Sequence, residues 1–333
     1  MSKKILEKQV LPLLSLNLQK IIKKCSTLLL ERVQEIRLRE GKPLMFSLDR
    51  GDLMVSIRGE EVDRLSNAYL VTRQDMHNTL QSLSSYSLYA FEEELKNGYL
   101  TIPGGHRVGL AGKAVISQGA IKLQKYITGI NIRISREVLG AGEKVFKYIV
   151  RDGEPRVYST LIISPPQCGK TTLLRDLVRI LSDGFERMDI PFRGIKIGLV
   201  DERSEIAGSF EGLPQNNIGI RTDVIDACPK SQGMMLMIRS MSPQVLVTDE
   251  IGSMEDALAV EEALKCGVAV IAAAHGSCRE ELRERPGLKR LMDQRVFKRM
   301  IVLSNSRRVG TVEEIWDEDR GRALLQSPPG KKL

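Results

Sequence analysis

The chain of 333 residues has no apolar run long enough to cross a bilayer. The longest, Val268 to Ala274, is far short of the roughly 20 residues a spanning helix needs. No secretory leader is visible, because Met1 to Lys24 carries charges and Pro12 inside its apolar pattern. A soluble, cytoplasmic protein without a transmembrane segment of its own is the expectation. Cysteine is scarce: Cys25, Cys168, Cys228, Cys266 and Cys278 are odd in number and contain no Cys-x-x-Cys pair. That argues against a disulfide framework and against a zinc site, leaving free thiols in a reducing compartment. Histidine is scarcer still. His77, His106 and His275 are too few for a His-rich metal centre. Long blocks of Lys and Arg are missing as well, and no internal repeat or low-complexity tract occurs. The nearest basic cluster, Lys289-Arg290 to Lys298-Arg299, is interleaved with apolar residues.

What is present is ordinary for a globular chain, with 42% hydrophobic and 28% charged residues and enough length for two cores. The net charge of +8 permits nucleic acid, an anionic membrane surface or simply a solvated surface, and does not choose among them.

Residues 5–22 read as an amphipathic helix interrupted by Pro12, with Leu14, Leu18, Ile21 and Ile22 on one face. Glu35 to Arg39 alternates like a strand. A hairpin is expected around Asp49-Arg50-Gly51-Asp52, and a helix from about Thr72 to Leu95. Gly98 to Gln118 is strand-rich and interrupted by Pro103-Gly104-Gly105 and by Gly109 and Gly112, and Asn131 to Ser135 is another short strand. Residues 1–140 thus form an N-terminal α+β domain. Residues 141–155 read as a linker that includes a short helix from Lys144 to Arg151. Residues 156–325 alternate strand and helix, which calls for a parallel sheet flanked by helices, with ligands at the carboxyl ends of the strands. Residues 326–333 read as a frayed tail.

Three segments lie in order at such strand ends. Ser164-Pro165-Pro166-Gln167-Cys168-Gly169-Lys170-Thr171-Thr172 follows Leu161-Ile162-Ile163 and opens a helical pattern. It fits the phosphate-loop pattern G-x-x-x-x-G-K-[ST], except that Ser164 stands where Gly is usual. If that position needs positive φ, Ser costs about 1 kcal/mol more than Gly. The loop amides would cradle phosphate, Lys170 would bridge the β- and γ-phosphates, and the Thr171 hydroxyl would hold Mg²⁺. The bland alternative is a plain strand-to-helix connection.

Asp249-Glu250 ends the run Val245 to Thr248. Asp249 would hold the metal, and Glu250 would polarise an attacking water. The alternative is an acid pair at a helix N-terminus. Asp201-Glu202-Arg203-Ser204-Glu205 puts carboxylates together at a third strand end, where they need a cation or water. Glu202 or Glu205 could be a general base; a solvated loop held by Arg203 is the alternative. His275, after the run Val268 to Ala274, is either structural or a sensor of the γ-phosphate. Arg107, Arg133, Arg136, Arg221 and Arg239 are candidates for charge contacts.

Residues 237–252 and 263–276, with the phosphate loop and the acidic Asp201–Glu205 segment, resemble the ATPase core of type II and type IV secretion motors. Asp201–Glu205 matches their Asp box and His275 their His box. More narrowly, Glu35–Arg39, Gly98–Gly109, Asn131–Ile134, Asp201–Gly208, Arg221–Val224 and Gly310–Ile315 resemble the stage III sporulation protein AA family over nearly the whole chain. The resemblance implies a RecA-like P-loop domain preceded by a smaller α+β domain, with ATP and Mg²⁺ as cofactors, assembled as a homo-hexamer. It implies a motor at the cytoplasmic base of a secretion-like channel, peripheral on the mother-cell membrane around the forespore. Integral membrane proteins of the same sporulation complex would be its partners, and nucleic acid is not expected. Arg107 and Arg133 match the N-terminal-domain arginines that reach the nucleotide in secretion motors. A nucleic-acid-translocating motor and a nucleotide-switched structural ring with little turnover are the rival functions.

Overall fold

The computed structural model describes residues 2–48, 51–84, 96, 98–117, 119–151, 153–185 and 191–327. They form two compact units, Met1–Arg136 and Glu137–Leu333.

The first unit is built on an antiparallel sheet of β1 (Glu35–Arg39), β2 (Met45–Leu48), β3 (Gly51–Val55), β4 (Glu61–Val62), β5 (Tyr99–Ile102), β6 (His106–Ser117) and β7 (Ala120–Arg133). The strand order is β4-β3-β2-β1-β7-β6-β5. Strand β1 alternates in burial, with Ile36 and Leu38 fully buried and the residues between them half-buried. Its inner face meets the apolar sides of the helices Leu16–Lys24 and Thr27–Arg32 in one core. The interruption expected at Pro12 within residues 5–22 is present, between helical residues ending at Val10 and the helix Leu16–Lys24. Pro12 sits in a short 3-10 turn at Leu11–Leu13, and the Ser15 hydroxyl then accepts from Leu18 N–H at 3.2 Å to start a new helix. The next helix runs Arg73–Leu83 from a capping box made by Thr72 and Asp75. Its expected continuation over 85–95 lies outside the described residues, as do residues 49–50 of the β2–β3 hairpin and residues 328–333 of the tail expected at 326–333. Within that expected tail, Gln326 instead ends a strand, Arg322–Gln326, and Ser327 N–H donates to the Glu313 carbonyl at 2.7 Å.

Strands β6 and β7 are longer than their glycines suggest. Gly112 lies within β6 at a register shift between Ala111 and Lys113. A Cβ there would stand 2.6 Å from the Lys125 carbonyl and 2.9 Å from that of Tyr126, so the glycine marks a bulge rather than a strand end.

The second unit holds β8 (Thr160–Ser164), β9 (Gly184–Phe185), β10 (Phe192–Arg193), β11 (Ile197–Asp201), β12 (Thr222–Asp226), β13 (Val245–Glu250), β14 (Ala269–His275), β15 (Arg299–Ser304), β16 (Thr311–Asp317) and β17 (Arg322–Gln326). The main sheet has the order β12-β11-β13-β14-β8-β15-β16-β17. It is parallel from β12 through β15, and β16 and β17 close it antiparallel. Strand β12 and the C-terminal β15 to β17 extend it beyond the strands that the sequence alternation marks. Both faces are covered, which is why the central strands read as unbroken apolar runs. Ile162, Leu199, Val247 and Ile271 point into the core that includes the helix Lys170–Asp183. Leu161, Val200, Leu246 and Val270 point into the other, under the helices Lys230–Met241, Met254–Lys265 and Pro286–Asp293. Residues Glu143–Ile149, inside the stretch read as a linker, form a helix. Its Val145, Phe146 and Ile149 are buried in the first of these cores. No helix among the described residues is long and apolar enough to cross a membrane.

Candidate functional site

Strand β8 delivers Ser164, fully buried, to the carboxyl edge of the sheet, and its Oγ donates to the Pro165 carbonyl at 2.8 Å. The residues that follow fold into a tight loop ending at the helix Lys170–Asp183. The left-handed positions of that loop are Gln167 (φ +60°) and Gly169 (φ +87°); Ser164 is not one of them. Ser in place of Gly at the first motif position therefore carries no backbone strain here. Gly169 is required twice over. Its φ is left-handed, and an added Cβ would lie 3.2 Å from the backbone of Gly310. The loop before β16 leans on this point, with Gly310 N–H donating to the Cys168 carbonyl at 3.1 Å. Cys168 is buried, Pro165 is half-buried, and Pro166 and Gln167 are exposed. Thr171 and Thr172 sit half-buried in the first turn of the helix, where backbone N–H groups lack intrahelical partners and favour an anion.

Strand order brings the acidic ends alongside. Strand β14 is the direct neighbour of β8, with His275 in register with Ser164, and β13 lies beyond it. Lys170 Nζ stands 3.7 Å from Glu250 Oε2 and 3.4 Å from His275 Nδ1, while His275 Nε2 is 2.8 Å from the same Glu250 oxygen. The partners fix the tautomer that fits: Nε2–H donates to the carboxylate, and Nδ1 accepts from the ammonium. Burial lowers the Lys170 pKa, and the carboxylates of Glu250 and Asp249 oppose that shift. Lys170, Glu250 and His275 are thus one cluster drawn from three elements.

Asp249 points the other way. Burial pushes its carboxyl up to about 7, with the Lys230 ammonium pulling it back. Its Oδ1 is buried and has no hydrogen-bond partner among the described residues. Lys230 Nζ lies 3.7 Å from that oxygen and bonds Glu202 Oε2. No group of three or more His, Cys, Asp or Glu side chains among the described residues is arranged to hold a metal. A buried carboxylate oxygen left without a donor fits a hard cation such as Mg²⁺ that takes one or two protein oxygens and completes its shell with phosphates and water.

The Asp201–Glu205 segment divides its labour. Asp201 is fully buried and accepts from Glu205 N–H at 3.0 Å, Ile206 N–H at 2.9 Å and Ala207 N–H at 2.8 Å. Burial raises its pKa to about 6 despite those three donors. Asp201 is an anchor for the loop. Ser204, at φ +52°, donates to Asp226 Oδ1 at 2.7 Å. Arg175, buried in the helix after the phosphate loop, donates to the Glu205 carbonyl and the Ile206 carbonyl, each at 2.7 Å. Glu202 and Glu205 are the half-buried carboxylates of the segment. Arg107 and Arg133 belong to the first unit, where they are register partners on β6 and β7. Arg107 stacks on the Tyr99 ring at 3.8 Å, and Arg133 lies 3.3 Å from Glu35. Of the other candidates, Arg136 donates to the Glu31 and Val33 carbonyls and Arg221 to the Ser182 carbonyl, which gives both a structural use. Sequence reasoning missed Lys230 and Arg175. Neither belongs to a spacing motif, and the only local signal for Lys230 is the proline that precedes its helix.

A phosphate loop between a central strand and a helix, on a largely parallel sheet with acidic neighbouring strand ends, defines a RecA-like P-loop NTPase domain. Solved structures share that fold. A pilus retraction motor, PilT, solved with bound ADP, aligns at a TM-score of 0.51 and 13% identity over 86% of this chain and 78% of its own. The Yersinia pseudotuberculosis ATPase DotB aligns at 0.52 and 13% over 81% and 70%. The chain belongs to the family described as Sporulation stage III, protein AA, whose model matches residues 4–324. It is 48% identical over 287 residues to the Stage III sporulation protein AA of Bacillus subtilis (strain 168), covering 86% of this chain and 87% of that protein.

Proposed function

We propose that the chain is an Mg²⁺-dependent ATPase that works as a secretion-type motor in sporulation. The observation that carries this reading is the convergence of Lys170, Glu250 and His275 beside a loop built to receive phosphate. The amides of the loop and of the first helical turn, with Lys170, hold the triphosphate. When phosphate draws the Lys170 ammonium away, Glu250 is released from its ion pair but stays oriented by His275. It is then placed to take a proton from the attacking water. His275, tied to both Glu250 and Lys170, reports whether phosphate is present. Thr171 and Asp249 would hold Mg²⁺, which supplies charge neutralisation on the phosphate oxygens. Glu202 and Glu205 border the same site as further carboxylates.

Family membership and the fold shared with secretion ATPases support a reading of the wider setting. The chain would act as a homo-hexamer, with Arg107 and Arg133 as further candidate catalytic residues. It would sit peripherally on the mother-cell membrane around the forespore and energise or assemble a channel made by integral membrane proteins of the same complex. Steady-state ATPase activity of the purified chain, with and without Mg²⁺, beside Lys170→Ala and Glu250→Gln, tests the core of this. Mg²⁺-dependent turnover abolished in both variants is the expected result. Failure of the wild-type chain to bind ATP would refute it.

A further inference from the structure

Lys230 is placed where helix physics disfavours it. It is the first residue of the helix Lys230–Met241, so its charge opposes the positive end of the helix dipole, and the cap residue Pro229 makes no side-chain hydrogen bond. Its side chain is only 11% exposed. What offsets both costs is a pair of carboxylates from two different strand ends: Glu202 after β11, which it bonds, and Asp249 at the end of β13, at 3.7 Å. The two contacts are unequal. Glu202 receives a hydrogen bond, whereas the buried Asp249 Oδ1 has none among the described residues and feels the ammonium only as a nearby charge. A bridge whose purpose was stability would spend a donor on the more deeply buried oxygen, since an unsatisfied buried acceptor is costly. Here Lys230 is moored to Glu202 and neutralises Asp249 while leaving the oxygen's lone pairs open.

An ammonium and a divalent ion cannot both sit against the same carboxylate oxygen without strong repulsion. We propose that Lys230 is a tethered counter-cation for Asp249 that a divalent metal must displace, so that this lysine sets the metal concentration at which the site loads. Lys230 is thereby a positioning residue that acts through Asp249. The proposal rests on the ATPase reading for its context, but not for its test.

The test is Mn²⁺ binding to the full-length chain, measured by electron paramagnetic resonance of free Mn²⁺, with and without ADP. Removing the positive charge in Lys230→Met should tighten Mn²⁺ binding at least about tenfold, since a unit charge a few ångströms away is being deleted from a partly buried site. Lys230→Arg, which keeps the charge, should stay within about threefold of wild type, as expected if charge rather than shape controls loading. Asp249→Asn should lose the tightening when combined with Lys230→Met. If Lys230→Met does not fold, by circular dichroism, Lys230→Gln takes its place. A purely structural lysine predicts the opposite sign, weaker Mn²⁺ binding in the neutral variants, and that result or an unchanged affinity would overturn the proposal. Fluorescent ADP binding at saturating Mg²⁺ separates the two claims. No ADP binding by wild type counts against the ATPase reading, while ADP binding with unchanged Mn²⁺ affinity in Lys230→Met counts only against the role of Lys230.

Discussion

His106 provides a pH test of how the first unit holds its β5–β6 turn, and with it the strand that carries Arg107. The imidazole is fully buried. Its Nδ1 accepts from Ser135 N–H at 3.0 Å, and its Nε2 faces Gln9 Oε1 at 2.8 Å. The ring must therefore be neutral, with its proton on Nε2. Protonating Nδ1 would set two N–H groups against each other and bury a charge. Burial lowers the His106 pKa from 6.5 to about 4. Because the folded pKa is depressed, the unfolded chain takes up a proton first as pH falls. The stability contribution is full above about pH 6.5 and is lost progressively down to about pH 4. At about 1.4 kcal/mol per pH unit, the loss across that window comes to about 3 kcal/mol. Guanidinium unfolding followed by far-UV circular dichroism from pH 7 to pH 4, on wild type and His106→Gln, isolates the effect, since other titrating groups are common to both. Wild type should lose about 3 kcal/mol more than the variant across the window, and its His106 ring signals in NMR should not titrate above pH 5. Parallel pH profiles, or a His106 titration near 6.5 in the folded protein, would refute the assignment.

Glu250→Gln removes the proton acceptor but keeps the shape, so ATP should still bind while turnover falls by about 10²- to 10⁴-fold, read by steady-state kinetics beside equilibrium binding. Gly169→Ala places a side chain at φ +87° and a Cβ 3.2 Å from Gly310. It should cost about 1–2 kcal/mol in thermal unfolding and weaken fluorescent nucleotide binding more than Ser164→Gly does. Arg175→Met strands the carbonyl of Glu205 and leaves that of Ile206 to Asn216, which donates to it at 2.9 Å. At about 1–3 kcal/mol for one unsatisfied buried group, a loss of about 1–3 kcal/mol is expected by denaturant titration, and a change below about 0.5 kcal/mol would count against it.

The second unit was largely legible in the sequence because its strands are buried on both faces. A strand such as β8 must then be apolar throughout, and a polar or glycine-rich break marks its end. Short connections put those ends on one edge of the sheet, so the phosphate loop, Asp249-Glu250 and His275 could be aligned before any coordinates. Strands β16 and β17 pair antiparallel at the margin, where burial is partial and the apolar run is broken, so the alternation did not reveal them. In the first unit glycine misled: Gly109 and Gly112 look like strand breakers but lie inside β6, Gly109 pairing in plain register with Asn131 and Gly112 sitting at a bulge that needs the space a side chain would fill.

The partners of the site residues were hidden for a different reason. Motif spacing reports groups that share a strand end or a loop, whereas Lys230 reaches across from the helix after β12, past β11, to β13. Nothing in a run of residues encodes that reach; only the strand order does. The same order separates the adjacent residues Asp249 and Glu250 into different roles. Glu250 turns toward β14 and β8, into the company of His275 and Lys170, while Asp249 faces Lys230 and Glu202. Two neighbouring carboxylates are thereby held by two different lysines. The proposed reaction requires both to be released, Lys170 by phosphate and Lys230 by metal, so nucleotide and divalent ion act on separate latches of one acidic pair.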